Sequence, residues 1–183
     1  MKLPAFGSLK SPLFRFLFLF VLIYSLLYFL HEWLVKTYTR WDQKFISHII
    51  SVSDFFLRIL GYKTFKNLED SEIQVLGIDG SNGVWVGSPC NAISLFILFA
   101  AFIIPFPGSH KHKWWYIPVG MVFIHFANIF RVVALCMIAY HSPFTLDFNH
   151  TYTFTFLVYL FIFMLWVLWV KKFSGIDVNS RYA

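Results

Sequence analysis

Four stretches of the chain are apolar almost without interruption: 13–30, 90–107, 115–139 and 153–170. A bilayer-spanning helix needs about 20 consecutive, mostly apolar residues. Each stretch therefore predicts a transmembrane helix, the second reaching full length with Cys90, Asn91 and Ser94 at its mouth. Arg15 lies near the start of the first, Arg131 falls inside the third, and Lys171 and Lys172 close the fourth. The first run outlasts the apolar core of a signal peptide, which is about 7–15 residues, and no small-residue cleavage site follows it. It reads as an uncleaved anchor, continuing as His31-Glu32-Trp33-Leu34.

The segment 31–89 has a different pattern. Between Trp41 and Leu60, the residues Phe45, Ile49, Val52, Phe56 and Ile59 recur at steps of three and four, with Lys44, His48, Ser51, Asp54 and Arg58 between them. That period predicts an amphipathic helix, lying in the interfacial plane or packed on the spans. Further on, Ile73 and Val75, then Val84, Trp85 and Val86, predict two short strands. Asp79-Gly80 and Asn82-Gly83 supply the turn between them. The expected fold is a single all-α integral membrane domain over 1–183, with about four transmembrane helices, an outer amphipathic helix and a short β-hairpin.

Composition agrees with that pattern. The chain is 58% hydrophobic and 13% charged, with 24 Phe among its 183 residues, and its mean hydropathy is +0.66. Soluble domains run at about 45–50% apolar and about 25% charged. A disordered chain, a collagen-like chain and a soluble disulfide scaffold are excluded, and a soluble enzyme of this size has too much surface to hide so much hydrocarbon. The net charge of +6 calls for no nucleic-acid partner, because basic cytoplasmic loops of a membrane protein give the same balance. Lys2, Lys10 and Arg15 precede the first span, Lys111 and Lys113 lie between the second and third, and Lys171, Lys172 and Arg181 follow the fourth; the only acid among these segments is Asp177. By the positive-inside rule both termini are expected in the cytoplasm, with 31–89 and 141–152 outside. The six basic residues of 31–89 count against this orientation.

The orientation brings three chemically different side chains to one membrane face. Cys90 stands at the outer end of the second span, Arg131 in the outer half of the third, and His150 just before the outer end of the fourth. Cys90 lies in the polar context Ser88-Pro89-Cys90-Asn91, at an expected helix N-terminus, which favours a thiolate. A charge inside a span costs at least about 2.5–3.5 kcal/mol and defaults to a functional reading; the bland alternative for Arg131 is pairing with Asp147. Asn128, one turn before Arg131, is placed to orient it, and His125 a turn further on reads as a core residue. His141 competes with His150 for the same role. A thiolate, a histidine base and a cation are the parts of acyl transfer. Cys136, among Ala134, Leu135, Met137 and Ile138, reads as packing. A thiol redox protein using Cys90 and Cys136 is a rival reading that lacks a C-x-x-C pair. A non-catalytic transport or assembly subunit, with Arg131 as a structural or substrate-binding charge, is another. His110 and His112 have no third ligand, so no metal site is expected, nor any cofactor.

Pro89-Cys90-Asn91-Ala92-Ile93, Asn128-Ile129-Phe130-Arg131-Val132-Val133 and Asn149-His150, in that order, resemble the exosortase/archaeosortase family, and the small size resembles the compact exosortase F type of Bacteroidetes. The resemblance covers about residues 85–170. One departure is Ala92, where family members often carry Gly. The resemblance implies a membrane-embedded cysteine protease or transpeptidase with Cys90, Arg131 and His150 as its catalytic residues and Asn91 and Asn128 supporting them. It implies exported protein substrates whose C-terminal sorting signal is a short motif, a spanning helix and a basic tail. It places the enzyme in the inner membrane among lipid, with its site on the periplasmic side.

Overall fold

The computed structural model describes residues 11–37, 39–67 and 73–175. Lys2, Lys10, Asp177 and Arg181 of the charge argument lie outside them, as do Glu69, Asp70 and Glu72. The chain runs α1 (Pro12–Thr37), α2 (Thr39–Ile59), β1 (Thr64–Asn67), β2 (Ile73–Ile78), β3 (Val84–Gly87), α3 (Ile93–Ile103), α4 (His110–His141), a single turn α5 (Leu146–Phe148) and α6 (Phe154–Lys172). Short 3₁₀ turns at Ser88–Cys90 and Pro143–Thr145 and a π-helical turn at Asn149–Thr153 join them. Three helical stretches are long and apolar enough to cross a bilayer: Pro12–Leu34, His110–His141 and Pro143–Lys172. The protein is an all-α membrane protein with a small sheet.

The start of α1 follows from Ser11-Pro12. Ser11 Oγ accepts the Phe14 N–H at 3.1 Å, and proline at the first helical position gives up no intrahelical bond. The helix is peripheral: Phe16 and Phe20 meet Phe102 of α3 edge-on, while Leu22, Leu26 and Phe29 are exposed.

The run 90–107 is helical only over the 11 residues of α3, about 16 Å against a hydrocarbon core of about 30 Å. Before it the backbone reverses at Ala92, φ +65°. After it Pro105 and Pro107 cannot continue a helix, and Gly108 turns at φ +140°. The 32 residues of α4 extend to about 48 Å, well beyond the bilayer core.

Two cores share α4. At the end of the bundle near Trp169, Phe99 and Ile103 of α3, Tyr116 and Ile124 of α4, and Val158, Ile162 and Trp169 of α6 pack together. At the opposite end, Ile129, Val132, Leu135, Cys136 and Ala139 of α4 pack under a cap made of α2 and the sheet. The sheet is antiparallel in the order β1-β2-β3; Thr64 pairs with Ile78 and Leu76 with Val84. The expected hairpin is β2–β3. The third strand, β1, stands beyond the sequence expectation.

On α2 the fully buried stripe is Ile46, Ile49, Ile50, Ser53 and Leu57, not the expected Phe45–Ile49–Val52–Phe56–Ile59. Ile49 alone is common to both. The cap core takes the first stripe. The second faces sideways, with Phe45 against Phe96 and His125 and Phe56 against Phe130. Asp54, nearly buried, fastens β1 to α2: it accepts from Arg58 Nε at 3.0 Å, Lys66 Nζ at 3.2 Å and Thr64 Oγ1. Burial pushes this carboxyl up, but the bonds from Thr64, Arg58 and Lys66 outweigh it and hold the pKa below its ordinary value of 3.8.

Candidate active site

The site lies where the two cores meet. Strand β3 runs directly into the 3₁₀ turn Ser88–Cys90, closed by Asn91 N–H donating to Ser88 O at 3.3 Å. The left-handed residue Ala92 then redirects the chain into α3. Asn91 Oδ1 accepts the Ile93 N–H at 2.9 Å, a side-chain turn of the kind that favours helix starts. Cys90 thus precedes the first residue of α3 by three positions, in a turn of its own rather than in the first turn of the helix.

Cys90 Sγ is 3.7 Å from His150 Nε2, within hydrogen-bonding range for sulfur. The ring comes from the π-helical turn Asn149–Thr153, a geometry that recurs at functional sites. His150 O accepts from Thr155 Oγ1 at 3.3 Å, and Asn149 Nδ2 donates to Thr145 O at 2.8 Å, fixing the turn on both sides. Asn128, 1% exposed, donates from Nδ2 to Cys90 O at 2.7 Å. It therefore grips the cysteine peptide rather than orienting Arg131.

Arg131 lies 16 positions beyond Trp115 on α4, a rise of about 24 Å. Its charge and that of Asp147 both reach the His150 ring. Its buried Nε has no hydrogen-bond partner, and the ion pairs among the described residues both belong to Asp54, so Asp147 does not pair with it. Arg131 lines an otherwise apolar cavity of about 600 Å³ between α2, α4 and α6, with Phe56, Ala134, Leu157 and Phe161 among its walls.

The other candidates fall elsewhere. His141 Nε2 is 3.0 Å from the Tyr62 hydroxyl, at the end of α4. Cys136 is fully buried in the cap core, its Sγ 3.5 Å from Leu76 O, and both thiols are free. His125 stacks on His48 at 5.6 Å with its Nδ1 unpartnered. Among the described residues no group of three His, Cys, Asp or Glu side chains could hold a metal.

One site residue escaped the sequence reading. Asp42 of α2, 6% exposed, receives Ser88 Oγ–H on Oδ2 and Asn91 Nδ2–H on Oδ1. The only trace in the sequence is an acid in the first turn of an amphipathic helix, which the helix dipole alone would explain.

A bundle of apolar helices that sets a thiol beside an imidazole, with a guanidinium lining an apolar cavity, defines a polytopic membrane protein with a cysteine–histidine pair. Residues 6–170 match the family model described as transmembrane exosortase (Exosortase_EpsH), and the chain belongs to that family. No curated protein and no solved structure matches it.

Proposed function

We propose that the protein is a cysteine transpeptidase or protease that cleaves C-terminal sorting signals of exported proteins at the periplasmic face of the inner membrane. The observation that carries this reading is the 3.7 Å approach of Cys90 Sγ to His150 Nε2. His150 takes the thiol proton, and the Cys90 sulfur adds to the scissile carbonyl carbon. Arg131, with no internal partner on Nε, stabilises the tetrahedral oxyanion. Collapse breaks the C–N bond. The departing amine takes the proton from His150 and leaves a thioester on Cys90. Water then releases an acid, or an amine forms a new amide; in each case a proton returns to the sulfur. The apolar cavity that Arg131 lines suits the substrate's spanning segment. The basic residues Lys111, Lys113, Lys171 and Lys172 support the orientation.

The test is processing of an exported protein with such a signal, in cells lacking the chromosomal copy and complemented with variants at matched membrane levels. Cys90→Ala should abolish cleavage. His150→Ala should slow it by about 10²–10⁴-fold and Arg131→Ala by about 10²–10³-fold. Cys136→Ala should cleave normally. Full processing by Cys90→Ala would sink the proposal and favour the non-catalytic reading.

A further inference from the structure

We infer that Asp42 is the positioning residue for the nucleophile: its carboxylate clamps the Ser88–Asn91 turn from α2 and thereby holds the Cys90 thiol at His150. This inference rests on the acyl-transfer reading above.

Three observations carry it. First, Asp42 is buried, yet among the described residues no Lys or Arg pairs with it. A buried carboxylate is costly unless its oxygens are satisfied. Here both are satisfied by the cysteine turn, one through Ser88, two positions before Cys90, and one through Asn91, the position after. Second, the clamp completes a grip from two helices: Asn128 of α4 holds the carbonyl of the same cysteine at 2.7 Å, so α2 and α4 together fix the peptide on either side of the sulfur. Third, the turn needs such a grip. It is a 3₁₀ turn followed by a left-handed alanine, and neither conformation stabilises itself as an α-helical turn would. Asp42 does not touch the reacting atoms. It acts through Ser88 and Asn91.

An isosteric amide separates position from charge. In Asp42→Asn the carbonyl oxygen accepts from Asn91, and the new NH₂ donates to Ser88 Oγ, whose hydroxyl hydrogen is free to rotate away. Both ties survive without the charge. Asp42→Ala loses both. Ser88→Ala loses one and leaves the carboxylate in place.

The experiment is alkylation of Cys90 by iodoacetamide in the full-length protein, reconstituted in lipid nanodiscs on a Cys136→Ala background, followed from about pH 5 to about pH 10 so that the thiolate fraction is read directly. Asp42→Asn should keep the parent's pH–rate profile and stay within about threefold of its rate. Asp42→Ala should move the profile onto that of His150→Ala, because a displaced thiol no longer meets the imidazole. Ser88→Ala should move it part of the way, and this variant carries the test should Asp42→Ala fail to fold. Parent-like profiles for Asp42→Ala or Ser88→Ala, while His150→Ala alters its own, would overturn the inference and leave the acyl-transfer reading intact. Equal damage from Asp42→Asn and Asp42→Ala would also overturn it, in favour of a role for the charge. An unaltered profile for His150→Ala would remove the dyad, and the clamp with it.

Discussion

Ala92 is the one described residue other than glycine with a positive φ, at +65°, and it stands two positions after Cys90. A left-handed conformation costs an L-residue about 1–2 kcal/mol. The methyl group is buried, 2% exposed, which returns about 0.8 kcal/mol. Ala92→Gly should therefore leave thermal stability unchanged or raise it by up to about 1 kcal/mol, with Cys90 alkylation retained. Ala92→Val, β-branched at a left-handed position, should cost about 2 kcal/mol or more. Thermal unfolding in nanodiscs checks both. At this scale the sequence was informative where chemistry is rare. A thiol and an imidazole flanking apolar runs, and a guanidinium inside one, mark themselves. Asp42 does not, because an acid early in an amphipathic helix is ordinary, and its partners lie 46 and 49 positions away.

Among the elements, periodicity revealed α2 but misassigned its buried face. Both of its stripes are apolar, and only the packing partner decides which one is enclosed. Strand β1 was illegible for a different reason: Thr64-Phe65-Lys66-Asn67 is short, polar and at a sheet edge, with no alternating pattern to read. It is held by its neighbours. Phe65 lies across Gly77 so closely that a Cβ there would meet the ring at 2.5 Å, and Asp54 fastens Thr64 and Lys66. That fastening has a pH signature. A carboxyl whose pKa is depressed in the folded state contributes stability that is complete above its unfolded pKa of about 3.9 and is lost as the pH falls through the lower folded value. Amide exchange in β1 and α2 should rise below about pH 4. In Asp54→Asn the exchange should already be faster at neutral pH and respond less to acid. An unchanged acid response in that variant would assign the sensitivity to another group.

For the whole molecule, hydropathy marked the three helical stretches long enough to cross a bilayer but read the 11-residue α3 as a fourth. An apolar residue buried against protein and one facing lipid look alike in a sequence. The structure divides α4 between two cores and leaves a cavity, lined by Arg131, between α2, α4 and α6. Leu157, 47% exposed, lines that cavity. Leu157→Trp should reduce substrate processing about tenfold or more by filling it, while iodoacetamide still reaches Cys90 at the parent rate. Val21→Trp on the outward face of α1, 58% exposed, should process normally. Equal processing by both variants would exclude the cavity as the substrate's seat.

The division of α4 also has a consequence for biosynthesis. Helix α2 and the three strands, which form the cap, leave the ribosome before Ile129–Ala139, against which they bury their apolar side chains. The cap therefore has no complete core until the fourth helix has been made and inserted. The histidine is translated later still. The nascent chain thus carries the Cys90 thiol through synthesis with the partner side chain not yet made, and the cysteine–histidine pair comes together only after α4 and the turn that holds His150 have been made.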